Sequence, residues 1–304
     1  MEHNRNSTQG GKKAPIEFII RALSLCSLGC LFRLARILAF IVARTRNQLT
    51  TQTRQNIQLC FAEFNPAQQH KLINNSLVHT CCALVELAAL WHKPIHAVLA
   101  RITQRDIDPQ FVDSQKAKII IAPHHGSWEL LNLWLAQQGP LYALYKPARK
   151  ASLDQYIHAR RTRNGATLVP ANTAGLRTLL QGLKKHATCM ILPDQKPAAN
   201  MAQTPSLFYG HAADTGLLVK KLASKLDCEI YLAAVTRNLD QANYQLSIQA
   251  LDREAIVADD ETSACYLNQA IESLISQQVC QYQWPYRRFT ESVYANSAQT
   301  QHPS

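Results

Sequence analysis

A short stretch near the middle of the chain concentrates side chains that can carry chemistry. The segment IIIAPHHGSWEL places His124 and His125 directly after an apolar run and Glu129 a few positions later. On one continuous helix, His124 and Glu129 would lie about 140° apart around the axis and could not meet. They can meet if the histidine lies on a turn and the glutamate in the first turn of a helix. Gly126 permits such a turn, and Ser127 can cap the helix.

An imidazole paired with a carboxylate is an arrangement suited to general-base catalysis. A carboxylate bonded to one ring nitrogen fixes the tautomer and stabilises the imidazolium, which leaves the other nitrogen free to take a proton from a hydroxyl. The two groups make up two-thirds of a serine-hydrolase triad without its nucleophile. The pattern therefore fits an enzyme whose nucleophile is the hydroxyl of its own substrate, although a single His-Glu pair is more often structural than catalytic.

Other interpretations of these residues stay open. His125 lies four positions before Glu129, which suits one helix face, so His125 is the alternative base to His124. All three side chains could also bind a metal, but no HExxH motif or cysteine cluster supplies the remaining ligands, and we predict no metal. The chain contains no GxSxG, Walker A or GxGxxG motif.

The elements around this segment must bring its side chains to the edge of a sheet. Short apolar runs alternate with helical patterns, which predicts an α/β fold with a mixed, mainly parallel sheet flanked by helices. In such sheets the chemistry lies at the carboxyl ends of strands, and His124 and Asp194 each follow a predicted strand. The predicted strands cover 119–122, 141–145, 167–169, 188–192, 229–235 and 244–251, and the predicted helices 127–138, 151–163, 174–185, 214–225 and 261–279.

The N-terminal region has a pattern of its own. The segment 16–42 is strongly apolar but is interrupted by Glu17, Arg21, Arg33 and Arg36, so no charge-free run reaches the ~18 residues of a simple spanning helix. At about 100° per residue the four charges fall on one half of the helical wheel. This favours a helix that lies in a membrane interface, or tilts through it, over the core helix of a soluble protein. No small-residue cleavage site follows, so a signal peptide is not predicted.

The charge and cysteine content narrow the partners and the compartment. The 304 residues are 47% hydrophobic and carry a formal net charge of +11, which suggests an anionic partner: nucleic acid, a membrane surface or an acidic carrier protein. No basic stretch interleaved with aromatic residues and no nucleic-acid motif is present, so nucleic acid is not predicted. The nine cysteines form no CxxC pairs, which indicates reduced thiols in a cytosol-facing compartment.

Several ordered blocks resemble a known enzyme family. IIIAPHHGSWEL is similar to the first block of the bacterial lipid A biosynthesis acyltransferases, the late lauroyl and myristoyl transferases of lipopolysaccharide, within the wider glycerophospholipid acyltransferase group with an H-x4-D/E motif. The resemblance continues, in order, through YALYKPARKASLDQYIHARRTRNGATLVP, GLRTLLQGLKKHATCMILPDQKP, FYGHAADTGLLVKKLASKLDCEIYLAAVTRN and QYQWPYRRF. The resemblance covers about 54–289. Several blocks in the same order identify a family far more specifically than any single block does.

The resemblance implies an acyl transfer from acyl-carrier protein to a hydroxyl, commonly one on an acyl chain already attached to the lipid A disaccharide. It implies that His124 is the general base and Glu129 its orienting partner, with no acyl-enzyme, cofactor or metal. The implied substrate-binding residues are Arg161, Arg163, Asp194 and Gln195, of which the arginines would lie near the thioester or the substrate phosphates.

The residue patterns of the two ends and the resemblance of the region between them set the expected organisation and location. We expect a disordered basic tail at 1–15, a membrane-associated helix at 16–48, an acyltransferase domain at 49–296 and a disordered tail at 297–304. The expected location is the cytoplasmic face of a bacterial inner membrane, where a basic chain would approach anionic lipid and acidic acyl-carrier protein favourably.

The chain also departs from the family's pattern. His125 stands where an apolar residue is common, His186 where a glycine usually turns, and Asp214 where a further threonine is usual. The acceptor therefore stays open between a lipid A precursor, a lysophospholipid and another glycolipid. A catalytically silent lipid-binding scaffold and a zinc hydrolase are the alternatives of other classes.

Overall fold

The structure, a computed structural model, describes residues 15–300. All of the expected basic tail except its last residue, and positions 301–304 of the expected C-terminal tail, lie outside the described residues. The strands are β1 Ile102–Ile107, β2 Ala117–Ile121, β3 Leu141–Tyr145, β4 Thr167–Pro170, β5 Thr188–Ile191, β6 Gln203–Phe208, β7 His211–Gly216, β8 Cys228–Asn238 and β9 Asn243–Ala250. The helices are α1 Pro15–Leu23, α2 Leu28–Arg44, α3 Gln48–Cys60, α4 Pro66–Val85, α5 Leu87–His92, α6 Ile95–Leu99, α7 Pro109–Asp113, α8 Trp128–Gln138, α9 Ala151–Arg161, α10 Thr173–Leu183, α11 Leu218–Ala223, α12 Arg253–Val257, α13 Asp260–Gln277 and α14 Glu291–Thr300.

Among the described residues, seven strands form one mixed sheet in the order β1-β9-β8-β2-β5-β3-β4. The five strands from β8 to β4 run parallel, and β9 is antiparallel to β8. Strand β2 is apolar throughout its centre because helices cover both faces of a parallel sheet, and Ile119, Ile120 and Ile121 are fully buried. The predicted α/β fold with a mainly parallel mixed sheet is confirmed.

The sheet order brings two chain segments together that are far apart in sequence. Strands β2 and β5 are parallel neighbours, with Ile121 paired to Ile191. Their carboxyl ends therefore open at the same edge of the sheet, and the residues that follow each strand lie side by side.

A separate hairpin of β6 and β7 replaces part of a predicted helix. Its register pairs Gln203 with Gly216 and Phe208 with His211. The helix predicted at 214–225 is wrong over its first turn, because Asp214 lies in β7 and the helix begins only at Leu218.

The N-terminal region differs from the single helix predicted at 16–48. It forms α1 and α2, separated where the Ser24 hydroxyl donates to the Arg21 carbonyl and the Ser27 hydroxyl accepts from the Cys30 amide to cap α2. These side chains supply alternatives to the helical hydrogen bonds, which explains the break. Helix α2 has 17 residues, about 25 Å, and is shorter than a ~30 Å hydrocarbon core.

Helix α2 has two apolar faces with different surroundings. One packs against α4 and buries Leu31, Phe32 and Ala35. The other face is exposed. We call this face of α2, together with α1 and the turn between the two helices, the N-terminal apolar face. Its exposed large side chains are Phe18, Ile19, Leu25, Ile37, Leu38, Phe40 and Ile41.

Within residues 15–300, the helical stretch Pro66–His92 is long and apolar enough to cross a membrane, judged by length and composition alone. Half of its most apolar window is buried inside the protein, and α4 packs against α2 and α3. Core helices pass the same test, so this stretch gives only weak support for membrane association.

Candidate active site

His124 meets Asp194 where strands β2 and β5 end. Nδ1 of His124 lies 2.9 Å from Oδ1 of Asp194, and the backbone amide of His124 donates to Oδ2 at 2.9 Å. The carboxylate is buried, whereas the imidazole is 16% exposed. Asp194 thus fixes both the backbone and the ring of the histidine while the ring keeps an open side.

The electrostatics of this pair suit a carboxylate that supports a histidine. Burial alone would raise the pKa of Asp194, but the charge of His124 and its hydrogen bonds outweigh burial and lower that pKa below its ordinary value. Asp194 is therefore ionised at neutral pH and holds the proton of the ring on Nδ1. Nε2 is then an acceptor, and the Gln195 amide nitrogen lies 3.2 Å from it.

Glu129 has a different partner from the one that the sequence predicted. Its Oε1 accepts from Nε of Arg161 at 2.9 Å and from Nη2 at 2.6 Å. Glu129 lies in the first turn of α8 and faces the end of α9, while Asp194 occupies Nδ1 of His124. The hydrogen bond predicted between Glu129 and His124 is thus replaced by two separate pairs.

Trp128 connects the two pairs. Its ring centroid lies 5.6 Å from that of His124 at an interplanar angle of 64°. The guanidinium of Arg161 lies 4.9 Å from the Trp128 ring centroid, within reach of a cation–π interaction. Analysis of the sequence missed Trp128, although its place between the histidine and the glutamate of the H-x4-E block was a signal that could have found it.

Only some of the predicted substrate-binding residues lie near His124. Asp194 and Gln195 contact His124, and Arg161 reaches the same region through Glu129 and Trp128. Arg163 instead donates from Nη1 to the carbonyl of Lys93 at 2.8 Å, at the end of α5. Its Nε and Nη2 atoms have no hydrogen-bond partner among the described residues.

His125 is oriented into the interior. It is 1% exposed, and within the described part of the chain neither ring nitrogen has a hydrogen-bond partner. Burial, assisted by the charge of Arg237 and opposed by Asp194, lowers the pKa of His125 to about 3. A neutral, buried ring cannot reach a substrate hydroxyl, so the geometry favours His124 over the alternative base.

Replacing His125 with leucine should leave transfer activity within about twofold of wild type and should not lower the melting temperature. Leucine has a similar volume and removes two buried nitrogens that lack partners, a change that is near neutral or stabilising. Thermal unfolding and initial rates check this expectation. A loss of activity as large as that of a His124 variant would show that His125 takes part in the chemistry.

Within residues 15–300, no group of three or more histidine, cysteine, aspartate or glutamate side chains is arranged to hold a metal ion. The His124 ring instead contacts the carboxylate of Asp194, the amide of Gln195 and the indole of Trp128, and the guanidinium of Arg161 lies against that indole. In these surroundings the imidazole of His124 can accept a proton on Nε2, and its neighbours can stabilise the charge that results.

Comparisons with known proteins agree with the resemblance seen in the sequence. A sequence model of the family described as "Bacterial lipid A biosynthesis acyltransferase" matches residues 18–291. The chain is 24% identical over 238 residues to the lipid A biosynthesis palmitoleoyltransferase of Escherichia coli (strain K12), covering 78% of this chain and 77% of that protein. It is 23% identical over 266 residues to the lipid A biosynthesis lauroyltransferase of the same organism, covering 85% of each. It is 24% identical over 277 residues to a lipid A biosynthesis acyltransferase of Haemophilus influenzae, covering 84% of this chain and 85% of that protein.

Proposed function

The chain belongs to the bacterial lipid A biosynthesis acyltransferase family, and from this premise we propose that it moves a fatty acyl chain from acyl-carrier protein to a hydroxyl of a lipid A precursor. Membership makes it an acyltransferase of lipid A biosynthesis. The donor, the mechanism and the location are our proposals. The observation that carries the mechanism is the contact between His124 and the buried, ionised Asp194.

The proposed reaction is a direct attack without an acyl-enzyme. Nε2 of His124 takes the proton of the acceptor hydroxyl, whose oxygen forms a new bond to the thioester carbonyl carbon. The carbon–sulfur bond breaks, and the protonated ring returns the proton to the departing sulfur. Asp194 stabilises the imidazolium between the two proton transfers.

Two further side chains are placed to assist. The Gln195 amide lies 3.2 Å from Nε2, and once the acceptor hydroxyl takes its place there, the amide can donate to the developing oxyanion beside it. The guanidinium of Arg161, held by Glu129, can pair with a substrate phosphate or with the polarised thioester, since arginine binds phosphate through two parallel hydrogen bonds. Arg163, a partly buried arginine two positions after Arg161, is a second proposed phosphate contact.

The test is a turnover assay with purified protein in lipid vesicles, offered an acyl-carrier-protein thioester and a lipid A precursor. We expect the acylated lipid and one equivalent of free thiol per acyl group transferred. Acylation of a lysophospholipid alone would assign another acceptor, and transfer from acyl-coenzyme A alone would assign another donor. Lipid binding without any transfer would indicate a silent scaffold, and activity that chelators abolish would indicate a metal hydrolase.

We also propose that the N-terminal apolar face binds the cytoplasmic surface of the bacterial inner membrane. Exposed apolar side chains of α1 and α2 lie beside exposed cations, a composition that suits an anionic lipid interface. The guanidinium of Arg44 lies 3.3 Å from the ring centroid of Phe40, so cation and apolar ring share one surface. The exposed arginines of α1, α2 and the residues just after them are Arg21, Arg33, Arg36, Arg44 and Arg46, of which Arg36 is paired with Asp240.

Replacing Ile37 and Phe40 together with serine should weaken binding to anionic vesicles roughly tenfold or more, because each fully buried large apolar side chain contributes about 1.5–3 kcal/mol. Co-sedimentation measures the change. The matched control replaces Val112 and Leu207 with serine, since both are exposed apolar residues outside this face. Equal binding by both double variants would contradict the proposed orientation.

A further inference from the structure

A buried ion pair lies behind the loop that carries His124. Glu86 joins α4 to α5, and Arg237 lies near the end of β8. Arg237 donates from Nε to Oε2 of Glu86 at 2.7 Å and from Nη2 to Oε1 at 2.6 Å. Each side chain is 1% exposed, so neither can touch a substrate. Removing two charges from water is unfavourable unless further contacts compensate. The pair is therefore expected to make contacts beyond its own two hydrogen bonds.

Both members of the pair bond directly to the loop between β2 and α8. Nη2 of Arg237 donates to the Gly126 carbonyl at 2.8 Å. The Ser127 hydroxyl donates to Oε1 of Glu86 at 2.8 Å. The buried pair therefore holds the loop two and three positions after His124, through residues that are separate from the His124–Asp194 contact.

The backbone of the loop is fixed to the same region. The Ser127 amide donates to the Val235 carbonyl at 2.6 Å, and the Gly126 amide to the Gln281 carbonyl at 3.0 Å. Gln281 in turn exchanges hydrogen bonds with the backbone of Arg237 at 2.9 and 3.0 Å. Gly126 has a φ of 60°, and any side chain there would collide with the Val235 carbonyl, so the loop is held tightly against β8.

We propose that Glu86 and Arg237 are positioning residues for the acyl transfer, which hold the 124–127 loop so that Nε2 of His124 stays aligned with the reacting atoms. The inference rests on the proposed function of His124. The catalytic contacts of the site require a placement within fractions of an ångström, and a displacement of about 1 Å can reduce a rate about 100-fold. Loss of the hydrogen bonds from the ion pair to the loop should therefore lower kcat while leaving KM for donor and acceptor nearly unchanged.

The chain offers a matched pair of variants. Ser127 and Tyr244 each donate one hydroxyl to the Glu86 carboxylate, at 2.8 and 3.1 Å, and both are 1% exposed. Only Ser127 lies in the loop. Its side chain makes no capping bond to α8, so its loss does not uncap that helix. Ser127→Ala and Tyr244→Phe thus remove the same kind of bond from the same carboxylate, with and without a link to the loop.

We expect Ser127→Ala to lower kcat about tenfold or more with KM for both substrates within about twofold, and Tyr244→Phe to keep both constants within about twofold. Arg237→Lys keeps the buried charge but cannot reproduce the planar contacts to Glu86 and Gly126 together. It should lower kcat in the same way. Wild-type kcat in both Ser127→Ala and Arg237→Lys, or losses in all three variants that follow their melting temperatures, would overturn the proposal.

A second measurement does not depend on the substrate. Hydrogen–deuterium exchange of the peptide that contains 123–128 should become at least tenfold faster in Ser127→Ala and stay as in wild type in Tyr244→Phe. Equal exchange in the two variants would refute the proposal that the ion pair holds the loop, even if the wild type transferred no acyl group. Absence of wild-type transfer alone would instead refute the proposed function, so the two failures are distinguishable.

Discussion

Alanine at position 124 should lower kcat for acyl transfer by about 10²–10⁴-fold, the range that one positioned general base contributes. The substitution removes the group that accepts the proton of the acceptor hydroxyl. It also leaves the buried Asp194 carboxylate with only the backbone amide of residue 124 as a donor from this loop. The rate is measured by product formation from saturating donor and acceptor, so that binding does not limit it.

The control for this variant is His96→Ala. His96 is an exposed histidine on α6, and its removal should leave the rate within about twofold of wild type. Circular dichroism and the melting temperature establish that both variants are folded. A folded His124→Ala protein with a wild-type rate would remove His124 from the mechanism and, with it, the main support for direct attack.

The sequence predicted the framework of this site because its signals are local. Apolar runs such as that before His124 indicate buried strands, and parallel strands open at their carboxyl ends, which singled out His124 and Asp194 separately. Neither signal specifies which strand lies beside which. Strand β5 is the neighbour of β2 although β3 and β4 intervene in the chain, and this order alone brings Asp194 to His124.

The pairing of His124 with Glu129 was predicted from short spacing, and this is where local reasoning fails. A carboxylate five positions away is only one possible partner for the imidazole of His124, because the fold also brings the carboxylate of Asp194 next to it. The same limitation explains why Glu86 and Arg237 were missed: the two residues lie 151 positions apart, and their contacts to the loop span 41 and 111 positions. The break between α1 and α2 had a local signal in Ser24 and Ser27, but the apolar pattern of 16–42 dominated it.

The choice between the two carboxylates leads to the second large expected effect. Asp194→Asn should lower kcat about 10³–10⁴-fold, because an amide no longer fixes the Nδ1 proton or stabilises the imidazolium, as in a triad that loses its aspartate. Glu129→Gln should act differently. It removes the counter-charge of Arg161, so we expect a higher KM for the phosphate-bearing acceptor and a much smaller loss of kcat.

A double-mutant cycle separates these roles by geometry. Glu129→Gln and Arg161→Gln should be strongly non-additive with each other, because each removes the same pair. Glu129→Gln and Asp194→Asn should be closer to additive, since in the part of the chain that the structure describes their side chains are connected through Arg161, Trp128 and His124 rather than directly. If Glu129→Gln lowered kcat as much as His124→Ala while Asp194→Asn stayed active, the pairing predicted from the H-x4-E spacing would hold in the working enzyme. The opposite ranking would assign the orienting role to Asp194, and Glu129 would then serve catalysis by holding the guanidinium of Arg161 over Trp128.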